Sequence, residues 1–367
     1  MVVALADSFF FDVDPNGARS KVLAFLLVSF LPFLLVAPMI GPLIDRVRGG
    51  RRLIVQIVAA SRIVIQLLMI QFADDIALFP LVFAALVLQK TYLVSKSALV
   101  PAVVRSETEL VEANSKLGLI AGVAGVVAVA PAAALQIGVG TSATLAYGAV
   151  VFAIALVASL QLPRELVIWP DAPSAASADA ATTSLQLAWV AMLILRGSAG
   201  FMLFHLAFLF RGDEDDKILL ALAIGLSSMG TMIGNASAPS MRRRIHEERM
   251  ITLALGLPAV VGLVAALVGG AGAGIVVAAI VSFSAAICRL SFESIVQRDG
   301  PATNRGQAFA RFETRFQLGW VIAAVLPVLL EIPGSVGYLL VGAVCAAAVM
   351  NYVAGIKAPS TVAVTRR

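Results

Sequence analysis

Gly41-Pro42-Leu43-Ile44-Asp45-Arg46-Val47-Arg48-Gly49-Gly50-Arg51-Arg52 is a short charged hinge between two apolar runs, 21–44 and 53–73. Each run reaches the roughly 20 residues that a helix needs to cross the hydrocarbon core of a bilayer. Outward from this hinge the same ruler finds further apolar runs near 79–104, 115–138, 142–162, 186–210, 217–240, 251–270, 273–296, 308–330 and 334–356. Backbone groups in lipid must be satisfied within the segment, so these runs are predicted to be helices. The stretch from Met1 to Phe11 is apolar but only about half a span long. It has no basic leading region and no small-residue cleavage site, so it reads as the back half of a first helix rather than a signal peptide. Counted as span 1, it brings the total to twelve.

Composition agrees with an all-α integral membrane protein. Hydrophobic residues make up 60% of the 367 and charged residues 13%, too greasy and too poorly charged to cover a water-facing surface. The net charge of +5 lies in short clusters between apolar runs without interleaved aromatics, which points away from nucleic acid and towards membrane orientation. Cys288 and Cys345 fall inside apolar runs and read as small hydrophobes, not as a disulfide or metal pair.

Loops after spans 2, 4, 6, 8 and 10, with the C-terminal tail, hold fifteen Lys and Arg residues, among them Arg46, Arg52, Arg105, Arg164, Arg242, Arg298 and Lys357. The alternate loops hold four, Arg19, Lys21, Arg211 and Lys217. Short cytoplasmic loops carry the excess, so the even-numbered loops and the C-terminus are expected in the cytoplasm, in a plasma membrane. The longest polar stretch, 163–185, is rich in Ala, Ser, Asp and Pro without an amphipathic stripe and reads as a flexible cytoplasmic linker. It divides the chain into an N-terminal bundle over 1–162 and a C-terminal bundle over 186–367. An internal echo fits that division. Span 8 ends in Gly234-Asn235-Ala236-Ser237-Ala238-Pro239-Ser240-Met241-Arg242-Arg243-Arg244, a degenerate version of the 41–52 hinge.

The 41–52 segment resembles the signature loop between helices 2 and 3 of the major facilitator superfamily: a Gly, three residues, Asp-Arg, then Gly and paired basic residues. The interval from Asp45 to the following glycine is one residue longer than in the family. The stretch from Ala98 to Pro101 and on through Glu109-Leu110-Val111-Glu112-Ala113-Asn114-Ser115 is similar to the branch of bacterial drug and siderophore exporters. The resemblance implies two six-helix bundles that rock about a central site. It also implies a gating latch in which Gly41 permits close helix approach and Asp45 meets the N-terminus of span 11, with Arg46, Arg51 and Arg52 beside it. The plainer alternative is that these arginines only fix topology. Function is then expected to be secondary active transport of a small molecule, as proton-coupled efflux by antiport. A non-transporting or lipid-handling scaffold on the same fold is the second reading.

A charge at the bilayer centre costs at least about 2.5 to 3.5 kcal/mol, so those within spans are candidates for substrate or coupling roles. They are Lys90, Arg196, Arg289, Glu293 and Glu313, with Asp7 as the best proton-coupling carboxylate. Arg289 and Glu293, four apart, share a helix face and permit a local ion pair. Arg311 and Arg315 share a face as well and need Glu313, another helix or lipid phosphate. Arg62 reads as structural, and His205 as satisfied against a neighbouring helix. Gly122, Gly125 and Pro131 in span 5 are expected to serve close helix packing and a kink. The excess of mid-span cations suggests an anionic solute. No phosphate-cradling loop or nucleophile arrangement is present in the sequence. An enzyme is therefore not expected, nor a cofactor or metal, and the energy would come from the proton gradient. The expected partners are the bilayer and the solute, with the chain a monomer and nucleic acid excluded.

Overall fold

The computed structural model describes residues 50–72, 78–100, 109–161, 175–210, 214–299 and 305–357. Ten helices run through them: α1 (Gly50–Gln71), α2 (Leu78–Leu99), α3 (Glu109–Gly138), α4 (Thr141–Ser159), α5 (Ala175–Leu209), α6 (Glu214–Arg242), α7 (Glu247–Val268), α8 (Gly270–Asp299), α9 (Arg305–Leu329) and α10 (Gly334–Lys357). They correspond to spans 3 to 12, and no strand occurs among the described residues. Nine of the described helices are long and apolar enough to cross a membrane; α2 holds a shorter apolar stretch, Pro80–Leu93. Spans 1 and 2 lie outside the described residues.

Helix α5 begins at Ala175, ten residues inside the stretch read as linker. Ala175, Ala176, Ala178, Ala180 and Ala181 carry the highest helix propensity of any residue, and that preference extends the helix back to Ala175. The turn between α7 and α8 depends on glycine. Gly269 caps α7 at φ +69° with its N–H on the Ala265 carbonyl, and Gly270 follows at +81°, a region that a side chain would strain.

The chain divides into two compact units. One comprises Met1–Val103, Ile120–Trp169 and Ala302–Thr314; the other comprises Val104–Leu119, Pro170–Pro301 and Arg315–Arg367. In the first, α1 packs on α2 and α4. Arg62 lies 4.1 Å above the centroid of the Phe152 ring, so its charge is held within the α1–α4 contact. In the second, α8 is central and packs on α5, α6 and α7, while α10 lies on α7 and α5. The α6–α8 crossing is close because Gly230 and Gly234, four residues apart, present no side chain to the backbone of α8. A Cβ on Gly234 would sit 2.6 Å from the Phe283 carbonyl oxygen.

The outside of these helices is greasy. Ile137 and Leu267 are each 89% exposed and Leu253, Val260 and Ile322 more than half exposed, a surface that only hydrocarbon solvates without penalty. Both cysteines are free and buried, as expected for small hydrophobes.

Candidate functional site

Gly41, Asp45, Arg46 and Asp7 lie outside the described residues, and Arg51 is described only as backbone in the first turn of α1. Arg52 is placed. Its Nη2 donates to the Leu160 carbonyl at 2.6 Å, and Gln56 Nε2 one turn on donates to Ser159 O at 3.3 Å. The last carbonyls of α4 have no intrahelical donors, and a cation there also meets the negative end of the helix dipole. One arginine of the hinge thus ties α1 to the end of α4.

Of the mid-span charges, Arg289 and Glu293 on α8 form the expected pair, Nε donating to Oε1 at 2.9 Å with the arginine side chain 38% exposed and the glutamate 12%. Lys90 on α2, Arg196 on α5 and Glu313 on α9 are each half-buried. His205 is buried, with Nε2 3.4 Å from the Gly334 carbonyl, its ring stacked on Phe201 and edge-on to Tyr338. It is satisfied against α10, as its sequence position suggested. Close packing of α3 falls on Gly118, where a Cβ would meet the Asn235 side chain at 3.0 Å. At Gly125 a Cβ would meet nothing within 4 Å, and Gly125 and Pro131 are exposed. The packing role expected of Gly125 is therefore not met among the described residues, because that face of α3 turns outward.

Where α6 ends, α7 begins and α8 ends, a buried carboxylate gathers two arginines. Glu247, 1% exposed, lies in the first turn of α7, where the helix dipole favours a negative charge. Arg242 Nε at the end of α6 forms an ion pair with its Oε1 at 2.7 Å, and that oxygen accepts from Ser294 Oγ at 3.0 Å. Arg298 Nη1 at the end of α8 is 3.5 Å from its Oε2 and places Nη2 3.4 Å from Glu248. Three helix ends are thus fastened through one side chain.

The start of α3 docks beside this cluster. Asn114 Nδ2 donates to Gln297 Oε1 on α8 at 2.8 Å, both residues being buried, and the Ser115 hydroxyl donates to the Asn235 carbonyl on α6. Residues 104–119 accordingly belong to the second unit, whereas α3 continues in the first from Ile120. Helix α9 changes units in the opposite sense, between Thr314 and Arg315.

The sequence model of the Major Facilitator Superfamily matches residues 12–324. The chain belongs to the Major Facilitator Superfamily. Solved structures of superfamily transporters share its fold. A bacterial homologue of the iron transporter ferroportin, in the outward-facing state, superposes with a TM-score of 0.66 at 18% identity, over 97% of this chain and 93% of that one. The E. coli fucose:proton symporter gives 0.66 at 11% identity, over 96% and 93%. The human organic anion transporter gives 0.65 at 15%, over 96% and 87%. Among sequence relatives, an uncharacterized protein of Mycobacterium leprae (strain TN) is 26% identical over 386 residues, 94% of this chain and 66% of that protein. One of Mycobacterium tuberculosis (strain H37Rv) is 33% identical over 132 residues, 33% of this chain and 24% of that protein. The chain therefore spans just under two thirds of the first relative's length and a quarter of the second's.

For this superfamily member, sequence reasoning picked out the α8 ion pair but passed over Glu247, Arg298, Asn114 and Gln297. A signal was present. Asn114 and Gln297 are amides in or at the ends of apolar helices, where burial without a partner is costly, and Glu247 follows three consecutive arginines.

Proposed function

We propose that this Major Facilitator Superfamily protein is a secondary active transporter that exports a small organic anion by alternating access, driven by the proton gradient, with the start of α3 closing its inner gate. The observation that carries the reading is the match of the superfamily's sequence model to residues 12–324, and the gate rests on the two hydrogen bonds that dock the start of α3 on α6 and α8. Those two bonds must break when the start of α3 leaves α6 and α8 at that end of the helices. The excess of basic residues in loops at that end supports calling it cytoplasmic. Lys90, Arg196 and Arg289 against Glu293 favour a negatively charged solute, and the fold is shared with an organic anion transporter. Asp7 and Asp45 remain the proposed coupling and latch carboxylates.

The test is transport by the full chain in proteoliposomes. Under an imposed proton gradient, at least one member of a panel of labelled organic anions is expected to accumulate, and a protonophore should abolish the accumulation. Accumulation of organic cations alone would overturn the substrate class, and indifference to the protonophore would overturn the coupling.

The gate makes its own prediction. In Asn114→Leu the buried Gln297 amide loses its bond to Asn114, a cost of about 1 to 3 kcal/mol borne only by the closed state. That shifts the closed-to-open ratio roughly 5- to 150-fold toward open. An impermeant maleimide applied from the cytoplasmic side should therefore label a cysteine placed at Leu119 faster in the variant. Unchanged labelling would remove Asn114 from the gate.

A further inference from the structure

We propose that the start of α7 binds the phosphate headgroup of an anionic phospholipid, through Arg244 in the turn before the helix and Arg249 in its first turn. One face of α7 is bare. Leu253, Val260, Val264 and Leu267 are 55%, 62%, 52% and 89% exposed. At 3.6 residues per turn they share a sector about 60° wide. Arg249 lies in the same sector one turn before Leu253, and it is exposed as well. The opposite face, with Ile251, Ala254, Leu255 and Gly262, is buried where α7 packs on α8 and α10. An aliphatic stripe left exposed at this spacing meets acyl chains, not water. A guanidinium thus stands at the head of a lipid-facing stripe.

Depth and charge fit a headgroup. Helix α7 has 22 residues, a length of about 33 Å. That is close to the roughly 30 Å of a hydrocarbon core, so the ends of the helix stand at the two interfaces. Arg249 is two residues in, about 3 Å along the axis. Side chains on a helix tilt toward its N-terminus, so Arg249 lays its stem on the stripe and carries its charge out to phosphate level. The other cations at this end are engaged: Arg242 and Arg298 by Glu247, Arg298 also by Glu248, while Arg243 has the Glu112 carboxylate in its field. Arg244 and Arg249, both exposed, enter no ion pair among the described residues. A phosphate supplies the missing counter-charge and accepts paired hydrogen bonds from a guanidinium fork. The site needs no solute and stands apart from the transport reading.

The experiment uses the purified full chain with Leu253→Cys, labelled there with bimane, in nanodiscs of phosphatidylcholine; the native Cys288 and Cys345 are buried. Phosphatidylglycerol with a nitroxide on its acyl chain is titrated in and compared with nitroxide phosphatidylcholine at equal content. Stronger quenching by phosphatidylglycerol is expected, with apparent affinity falling about fivefold for each arginine removed in Arg244→Gln and Arg249→Gln, the equivalent of about 1 kcal/mol each. A second reporter at the far end of the stripe, Leu267→Cys, should be quenched alike by the two lipids. Equal quenching at position 253 would overturn the proposal, and that comparison keeps both arginines in place. A preference of the same size at position 267 would also overturn it, since general attraction of anionic lipid to a chain of net charge +5 would then account for both. So would an excess that survives both substitutions. Quenching by neither lipid would show the face covered by a second protein chain, and displacement by inorganic phosphate would give the arginines to a soluble anion; either result refutes the lipid site.

Discussion

Glu247→Ala should unfold the second unit at markedly lower temperature, with a loss of about 3 kcal/mol, the lower end of the range for breaking a buried ion pair by removing one partner. The lower end applies because the side chains of Arg242 and Arg298 retain 19% and 26% exposure and recover part of their hydration, whereas Glu247 itself retains 2%. Glu248→Ala is the control. Its carboxylate is 29% exposed and meets Arg298 at 3.4 Å, a pair of the surface kind worth about 0 to 1 kcal/mol. Thermal unfolding of the detergent-purified chain, followed by circular dichroism, compares the two. Equal shifts would show that the cluster does not fasten the ends of α6, α7 and α8. The consequence reaches the gate. Asn235 on α6 and Gln297 on α8 hold the start of α3, and both lie within two turns of the arginines that Glu247 gathers. Glu247→Ala should therefore also speed inner-side labelling at position 119, although Glu247 touches no residue of α3 among the contacts described.

What could be read from the letters follows from how strong each physical signal is. Ten helices were legible because lipid enforces long apolar runs, and their ends fall within a few residues of the predicted ones except at α5. There the linker composition concealed a run of alanines that continues the helix to Ala175. The Arg289–Glu293 pair was legible because i, i+4 geometry is local to one helix. The burial of Glu247 was not, since its partners come from the ends of two other helices, up to 51 residues away, and nothing local distinguishes it from half-buried Glu248. Packing glycines were the least legible. Span 5 displays Gly118, Gly122 and Gly125 at helical spacing, yet a Cβ would meet the Asn235 side chain at Gly118 and nothing within 4 Å at Gly125, since the first turns of α3 dock on α6 and α8. Small residues are common in membrane helices, and which of them meets a neighbouring backbone depends on a rotation that spacing alone does not set.

Gly234→Leu tests that rotation where it matters most. Its Cβ would stand 2.6 Å from the Phe283 carbonyl oxygen and 2.9 Å from the Ala286 Cβ, and the first of these is backbone of α8 and cannot turn aside. Relief requires α6 and α8 to move apart, and overpacking of this kind costs about 1 to 3 kcal/mol even where side chains can adjust. Here the cost should reach or exceed the upper figure, since Gly230 one turn earlier is pressed against the Ala279 carbonyl and blocks a compensating slide. Gly225→Leu on the same helix separates packing from propensity. A Cβ there meets nothing within 4 Å, so the substitution should leave unfolding unchanged or raise it slightly, leucine being the better helix former. Because Asn235 follows Gly234 directly, parting α6 from α8 also moves the carbonyl that receives Ser115 away from the amide that receives Asn114. The two hydrogen bonds cannot both survive that displacement. Gly234→Leu should thus combine a lowered unfolding temperature with faster labelling at position 119. A variant that lost stability but kept wild-type labelling would show that α3 docks on α6 or α8 alone, and the two-point attachment would have to be abandoned.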